Sequence, residues 1–245
     1  MKLTIERSVT VITPTIGKPE LTQSIKSVKN QTYGCKHIVV VDGIEHYKKV
    51  CEVSDLHANM RVCVTPENTG ANGFNGQRIY AAFPHLVNSD YILFLDEDNW
   101  FEPNHVESLI KTIEQHNLAF AYSLRKVHRK DGSFACNDDC ESLGQWPIFL
   151  SNNMPEKHHL IDTSSYCFRR EFIQKTCHLW HSGPWGEDRR YYNAVKNFGG
   201  HGTSGEYTLC YRLDGNPKSV TEDFFINGNE LNRQYYGGTF PWRKI

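Results

Sequence analysis

The sequence lacks most of what marks a specialised chain. No window approaches the roughly 18 uninterrupted apolar residues of a membrane-crossing helix, and MKLTIERSVTVITPT has neither an apolar h-region nor a small-residue cleavage site. A soluble, cytoplasmic chain is therefore expected. Net charge is also missing: 27 basic residues face 28 acidic ones, which argues against the broad basic footprint of a duplex nucleic-acid binder, and no nucleic-acid partner is expected. Eight cysteines occur with no C-x-x-C pair, and 245 residues can bury a core without disulfide staples. Cys136 and Cys140 flank Asn137-Asp138-Asp139, but no second pair completes a tetrahedral zinc site. There is no internal repeat, no linker, no G-x-G-x-x-G and no Walker A lysine motif.

What is present is an ordinary globular composition, 39% hydrophobic and 22% charged. Short apolar runs recur through the first hundred residues: SVTVI (8–12), HIVVV (37–41), RVCVT (61–65) and YILFL (91–95). Each closes on a polar or Pro/Gly signal, and helical spacing appears between them, as at Leu21, Ile25 and Val28 and again from Gln77 to Leu86. Strands alternating with helices predict a largely parallel sheet covered on both faces, which is why the runs are continuously apolar. Ligands of such sheets sit at the carboxyl ends of the strands, so Thr13, Asp42, residues 66–68 and residues 96–99 are expected on one rim. Beyond Pro103, HVESLIKTIEQHN predicts a helix, LAFAYSLRKVH with a turn at Lys130-Asp131-Gly132 a hairpin, and SSYCFRREFIQKTC a strand running into a helix. EDRRYYNAVKNFGG predicts a further helix and EYTLCYRL a last strand.

The rim carries the chemistry. Asp96 and Asp98, one residue apart at a strand end, can chelate a hard divalent cation and leave its other positions to phosphate oxygens. The plainer reading is a capped strand-to-helix turn. Glu97 between them is expected to point away, because adjacent side chains diverge in an extended segment. Asp42 can accept from a ribose hydroxyl or a base N–H, or simply form an Asp-Gly turn with Gly43. NTGANGFNGQR (68–78) can present backbone N–H groups to an anion, or be a flexible loop. Glu187 and Asp188 precede a helix beside Trp185. A carboxylate there can take a proton from a hydroxyl while the indole stacks on a sugar, or the acidic pair merely complements the helix dipole.

In order, these segments resemble the GT-A glycosyltransferases, specifically the inverting family 2. VTVITPTIGKPELTQSIKSVKNQTY resembles the opening strand, loop and helix; HIVVVDG the second strand with its nucleotide-contacting Asp; PENTGANG the Asn-x-Gly loop; and YILFLDEDN the aspartate-x-aspartate strand end. DTSSYCFRREFI with GPWGEDRRYY resembles the acceptor-side strand and Glu-Asp motif, and TLCYRL a closing strand. The resemblance implies an α/β fold in one GT-A type domain over 1–245, with a Rossmann-like, mostly parallel sheet flanked by helices and a smaller mixed acceptor-side half. Residues 1–103 would bind the nucleotide sugar, and 104–245 the acceptor and the base. It implies transfer from a nucleoside-diphosphate sugar, UDP- or dTDP-type, to a glycan hydroxyl with inversion, and Mn²⁺ or Mg²⁺ across the phosphates.

By motif position the resemblance assigns Thr13, Pro14, Asp42, Asn68, Gly70, Arg78 and Asp96 to the donor, and Asp96, Asp98 and His201 to the metal. Asp188 would be the general base with Glu187 as the alternative, and Thr163 and Trp185 would face the acceptor. Where the family commonly has Ala-Arg-Asn, this chain has Phe74-Asn75-Gly76, so Arg78, one helical turn beyond, is a candidate for the missing arginine's role. The tract from Arg125 to Pro155 falls where acceptor choice is set, and YYGGTFPWRKI can pack, contact a glycan or touch a membrane surface. The same rim also suits a sugar-1-phosphate nucleotidyltransferase, although TPTIGKPEL lacks that class's glycine- and Arg/Lys-rich signature, or a non-catalytic nucleotide- or carbohydrate-binding module.

Overall fold

The apolar runs become strands where the sequence predicts them. β1 (Val9–Thr15), β2 (Lys36–Val41), β3 (Met60–Val64) and β4 (Tyr91–Phe94) lie parallel in the order β3-β2-β1-β4. The computed structural model describes residues 7–53, 59–146, 159–180, 183–184, 186–215 and 219–243. Every residue of β1 and β4 is buried, because successive side chains enter cores on opposite faces. Ile12, Val40, Ile92 and Phe94 share one core, while Val9, Val11, Tyr91 and Leu93 enter another.

Helices cover both faces. α1 (Leu21–Lys29) buries Leu21, Ile25 and Val28, the first two against Val39, Val41 and Val50, which lies in α2 (Tyr47–Val53). α3 (Gln77–Ala82) runs into a 3₁₀ turn ending at Leu86, so the expected helix is there but tightens where Pro84 enters. α4 (His105–His116) buries Val106, Leu109, Ile110 and Ile113 and ends at Asn117, whose left-handed backbone (φ 49°) stops the helix.

The sheet continues into the second half. β5 (Trp100–Phe101), β6 (Phe120–His128), β7 (Phe134–Asn137), β8 (Tyr166–Arg169) and β9 (His201–Arg212) extend the order as β4-β8-β6-β9-β5, with β7 hairpinned onto β6. β8 and β5 run antiparallel to their neighbours, whereas β6 and β9 run parallel to each other and to β4. The carboxyl ends of β1, β2, β4, β6 and β9 therefore share one edge. α5 (Arg170–Thr176) and α6 (Glu187–Val195) pack on one face, where the Trp180 and Tyr191 rings stack with centroids 4.0 Å apart.

Two elements exceed the sequence expectation. β9 starts at His201, before the predicted EYTLCYRL, because β6 offers a long parallel partner. α7 (Glu222–Tyr235) was not anticipated; Thr221 caps it, and Phe225 anchors it against Val127, Cys140 and Leu213. All eight cysteines are free thiols. Among the described residues no helix is long and apolar enough to cross a membrane.

Candidate active site

The rim encloses a cavity of about 350 Å³ whose walls come from separate strand ends. β1 contributes Pro14 and Thr15, β2 leads to Asp42, β4 leads to Asp96 and Asp98, and β9 ends in Tyr211 and Arg212. Asn68 and Gly70 close one side. Their loop is moulded around Asp42, whose carboxylate accepts from the Thr69 N–H (2.8 Å), the Thr69 hydroxyl (2.8 Å) and the Gly70 N–H (2.7 Å). Position 70 must be glycine here, since a Cβ would sit 2.2 Å from the Asn75 carbonyl oxygen and 2.8 Å from Asp42 Oδ2. Asp42 Oδ2 accepts one N–H within the loop and keeps a lone pair for a further donor.

Asp96 is held from two sides. The Tyr80 hydroxyl donates to one of its oxygens, and the Ser164 hydroxyl donates to the other at 3.2 Å. Burial, then the nearby charges of Asp98 and Asp162, raise its pKa to about 7. Asp98 is more open and pairs with the Lys18 ammonium at 2.9 Å. Burial opposes the charge on Lys18, but Asp98, with Glu97 and Asp96, leaves its pKa raised overall. Arg212 lies against the same turn: its Nε donates to the Asp98 carbonyl (3.2 Å), its Nη1 to the Lys130 carbonyl (2.8 Å), another N–H to Gln23, and the guanidinium covers the Trp100 ring.

A second cavity of about 550 Å³ adjoins the first, and the two share Asn75, Asp96, Thr163, Glu187 and Tyr211 as a common wall. Asp188 opens only onto the second. Burial, followed by Asp162, Glu187 and Glu141, raises its pKa to about 7, and Glu187 is raised chiefly by burial. Arg125 lies under this cavity, paired with Asp138 (2.6 Å), Asp162 (2.7 Å) and Glu141, while Arg189 reaches Glu141 at 3.0 Å. Asp162 in turn caps the 3₁₀ turn Thr163–Ser165 by accepting from the Ser164 N–H at 2.9 Å. This places Thr163 on the shared wall.

Several sequence expectations require correction. Thr13 does not reach the rim: it is fully buried in β1 with its hydroxyl 2.9 Å from His37 Nε2, and its neighbours Pro14 and Thr15 take the rim position. Arg78 is exposed, lies over the Phe74 ring at 4.2 Å and donates to the Thr69 carbonyl, so it braces the glycine-rich loop from outside the cavity. His201 begins β9 opposite Phe120, at the start of β6, which is the edge away from Asp98; it stacks on Phe120, and burial lowers its pKa. Glu97 does not point away. Residues 95–99 form a turn rather than an extended strand, and Glu97 is buried, accepting from the Thr15 hydroxyl and from the Lys18 N–H at 2.9 Å.

Trp185 and residues 147–155 of the expected acceptor tract lie outside the described residues. Of the aromatic tail, Trp242 is buried and donates to Asp139 at 2.8 Å, and Arg243 pairs with the same carboxylate, so both are committed to packing. Lys18, Tyr80, Asp162 and Arg212 went unrecognised in the sequence. A strand-end position was the only signal for Arg212, and the loop after the first strand the only one for Lys18.

A divalent ion suits the donor set, since Asp96 and Asp98 both line the donor cavity and present hard oxygens. Among the described residues no three His, Cys, Asp or Glu side chains converge as a complete cage. The carboxylate pair would thus need oxygens from its ligand.

The fold and the adjoining rim cavities define an α/β protein of the GT-A glycosyltransferase type. The profile described as Glycosyl transferase family 2 matches residues 10–176, and the chain belongs to that family of glycosyltransferase enzymes. An uncharacterised protein of Haemophilus influenzae is 37% identical over a segment covering 34% of this chain and 68% of that protein. Among solved structures, S. aureus TarS residues 1–349 is similar at TM-score 0.59 and 15% identity, covering 84% of this chain and 60% of that one. The same protein in complex with UDP-GlcNAc is similar at TM-score 0.59 and 14% identity, over 89% and 63% of the two chains. Its complex with UDP gives TM-score 0.57 at 14% identity, over 94% and 72%. The chain thus spans about 60% of the length of the first of these structures.

Proposed function

We propose that the protein transfers a sugar from a UDP- or dTDP-type nucleotide sugar to a hydroxyl of a glycan, with inversion. The observation carrying this reading is the pair of adjoining cavities whose common wall holds Asp96 and Glu187, with Asp98 on one side and Asp188 on the other. Similarity to a protein solved with UDP-GlcNAc and with UDP supports a uridine diphosphate donor. Residues 1–103 bind the donor in one GT-A domain, and residues 104–245 supply the acceptor side and the base. Eight free cysteines support a reducing, cytoplasmic location, and peripheral membrane contact would fall to the exposed part of the tail.

In this mechanism Asp42, Asn68 and Gly70 receive the nucleoside, and Pro14 lies against it. Mn²⁺ or Mg²⁺, bound through Asp98 and Asp96, would supply Lewis-acid stabilisation of charge on the leaving diphosphate. Arg212, fixed by three hydrogen-bonding partners, adds a rigid positive charge beside Asp98. Thr163 positions the acceptor, and Asp188 takes the proton of its hydroxyl as that oxygen attacks the anomeric carbon. A base near pKa 7 is matched to this task at neutral pH.

The test is a panel of nucleotide sugars with Mn²⁺, read by donor hydrolysis and nucleotide-induced thermal shift. Asp98→Ala should lose metal-dependent nucleotide binding, whereas Asp188→Asn should keep binding and lose turnover. Wild-type protein that binds no nucleoside diphosphate, or an Asp98→Ala variant that binds as wild type, would refute the assignment. Formation of a nucleotide sugar from a sugar 1-phosphate would favour the nucleotidyltransferase instead, and binding without turnover on any donor would favour a non-catalytic module.

A further inference from the structure

Two cations stand beside Asp98, and they are built differently. Arg212 spends N–H donors on the Asp98 carbonyl, the Lys130 carbonyl and Gln23, and its plane rests on Trp100, so it is fixed. Lys18 has a fixed root and a head held by a single partner, Asp98. Its backbone N–H is pinned to Glu97 at 2.9 Å, and the preceding Gly17 adopts φ +77°, with its N–H donating to the Thr15 hydroxyl at 2.9 Å. The ammonium meets Asp98 Oδ2 at 2.9 Å, with the Lys18 and Asp98 side chains 44% and 30% exposed, and it faces the donor cavity. A four-carbon stem on an anchored backbone can sweep that cavity, and one of three ammonium donors is used on Asp98.

We propose that Lys18 is an exchangeable counter-ion of the donor site. Its ammonium neutralises Asp98 when the site is empty and transfers to a diphosphate oxygen when the nucleotide arrives with its divalent ion. The proposal rests on the donor-site reading above and extends it to a residue that reading does not use. Charge carries the argument. Asp98 cannot fully serve a divalent ion while its Oδ2 is held by an ammonium, and the incoming diphosphate brings the negative oxygens that would draw Lys18 away. The chain has Asn75 where the family commonly has arginine, so a cation on a flexible stem lining the same cavity supplies the phosphate contact that Arg78, outside the cavity, does not. The consequence is an order of binding: metal alone binds poorly, and metal with nucleotide binds well.

The experiment measures Mn²⁺ binding to the nucleotide-free full chain by electron paramagnetic resonance, and UDP affinity in saturating Mn²⁺ by calorimetry. Lys18→Gln should bind Mn²⁺ alone about two- to fivefold more tightly, the gain expected from freeing a partly exposed pair. The same variant should bind UDP roughly tenfold more weakly, having lost a charge-assisted contact. Lys18→Arg, which keeps the charge, should recover most of the UDP affinity. Opposite movement of the two affinities separates this role from a structural one, since damage to the loop would weaken both. The proposal is overturned if Lys18→Gln binds Mn²⁺ no more tightly than wild type, or if its UDP affinity is unchanged. Wild-type protein that binds neither UDP nor dTDP would sink the donor-site reading itself, and this proposal with it.

Discussion

The Tyr80 hydroxyl donates to the Asp96 carboxylate, tying the helix after the glycine-rich loop to the strand end that carries the paired aspartates. The tyrosine is removed from water: its ring packs 4.6 Å from Phe94 and edge-on to Trp180, and burial followed by Asp96 keeps its hydroxyl protonated. The contact couples the loop that would hold the nucleoside to the carboxylates that would hold the metal. Tyr80→Phe should leave one Asp96 oxygen without its donor and cost about 1–3 kcal/mol of stability. Urea unfolding reads the loss, and UDP calorimetry should show weaker binding even where the variant is fully folded. Unchanged stability would mean that water replaces the hydroxyl.

Glu97 is expected to matter as much as its neighbours, for a structural reason. Its carboxylate gathers the Thr15 hydroxyl and the Ile16 and Lys18 N–H groups, which shapes the loop between β1 and α1. Glu97→Ala would leave those donors unmet and should lower stability by about 1–3 kcal/mol. Nucleotide affinity should fall with it, because Pro14, Thr15 and Lys18 all line the donor cavity. Limited proteolysis within residues 15–20 is a direct check, and a cleavage rate equal to wild type would contradict the assignment.

The Glu97 case marks where a sequence stops being informative. The strand ends could be read because continuous apolar runs stop abruptly at Asp42 and Asp96, and the carboxyl edge of a parallel sheet collects such residues. Side-chain direction within a turn follows no such period, since the Asn99 N–H folds back to the Asp96 carbonyl at 3.2 Å and breaks the alternation. Partners distant in sequence were equally hidden: Lys18 meets Asp98 across 80 positions, and Arg212 meets it across 114. His201 shows the converse error. It lies near the candidate base in sequence, yet it begins the strand that Arg212 ends, which puts the two on opposite edges of the sheet.

Asp188 should set the acid limb of the pH profile. A base works deprotonated, so turnover should rise with pH through about 7 and then level, as kcat/KM measured from pH 5 to 9 would show. Its stability effect has the opposite sign. A carboxyl whose folded pKa is raised stabilises the protein fully only below its unfolded value, and that contribution is lost as pH rises through about 7. Asp188→Asn should therefore raise the melting temperature at pH 8, by roughly 1–3 kcal/mol in free energy, and change little below pH 4. A variant no more stable than wild type at pH 8 would show that Asp188 ionises without strain.

Arg125 is the cation on which the acceptor side is built. It is buried, meets Asp138, Glu141 and Asp162 at once, and lies 4.4 Å from the Tyr211 ring centroid and 5.3 Å from that of Phe225. Arg125→Met keeps much of the apolar stem but takes their shared cation from three carboxylates, which should cost about 3–5 kcal/mol at pH 7. The pH dependence identifies the cause. Burial alone would raise the Asp138 pKa, but Arg125 and the backbone N–H groups of residues 140 and 142 hold it below the usual carboxylate value. In wild type that lowering stabilises the fold above the unfolded pKa of Asp and is lost as pH falls through the folded value. Without Arg125, Asp138 and Glu141 should take up protons more readily on acidification, so the gap between wild type and Arg125→Met should narrow from pH 7 to pH 4. Urea midpoints at the two pH values decide the matter: an equal gap at both would assign the loss to packing over Tyr211 and Phe225 rather than to charge.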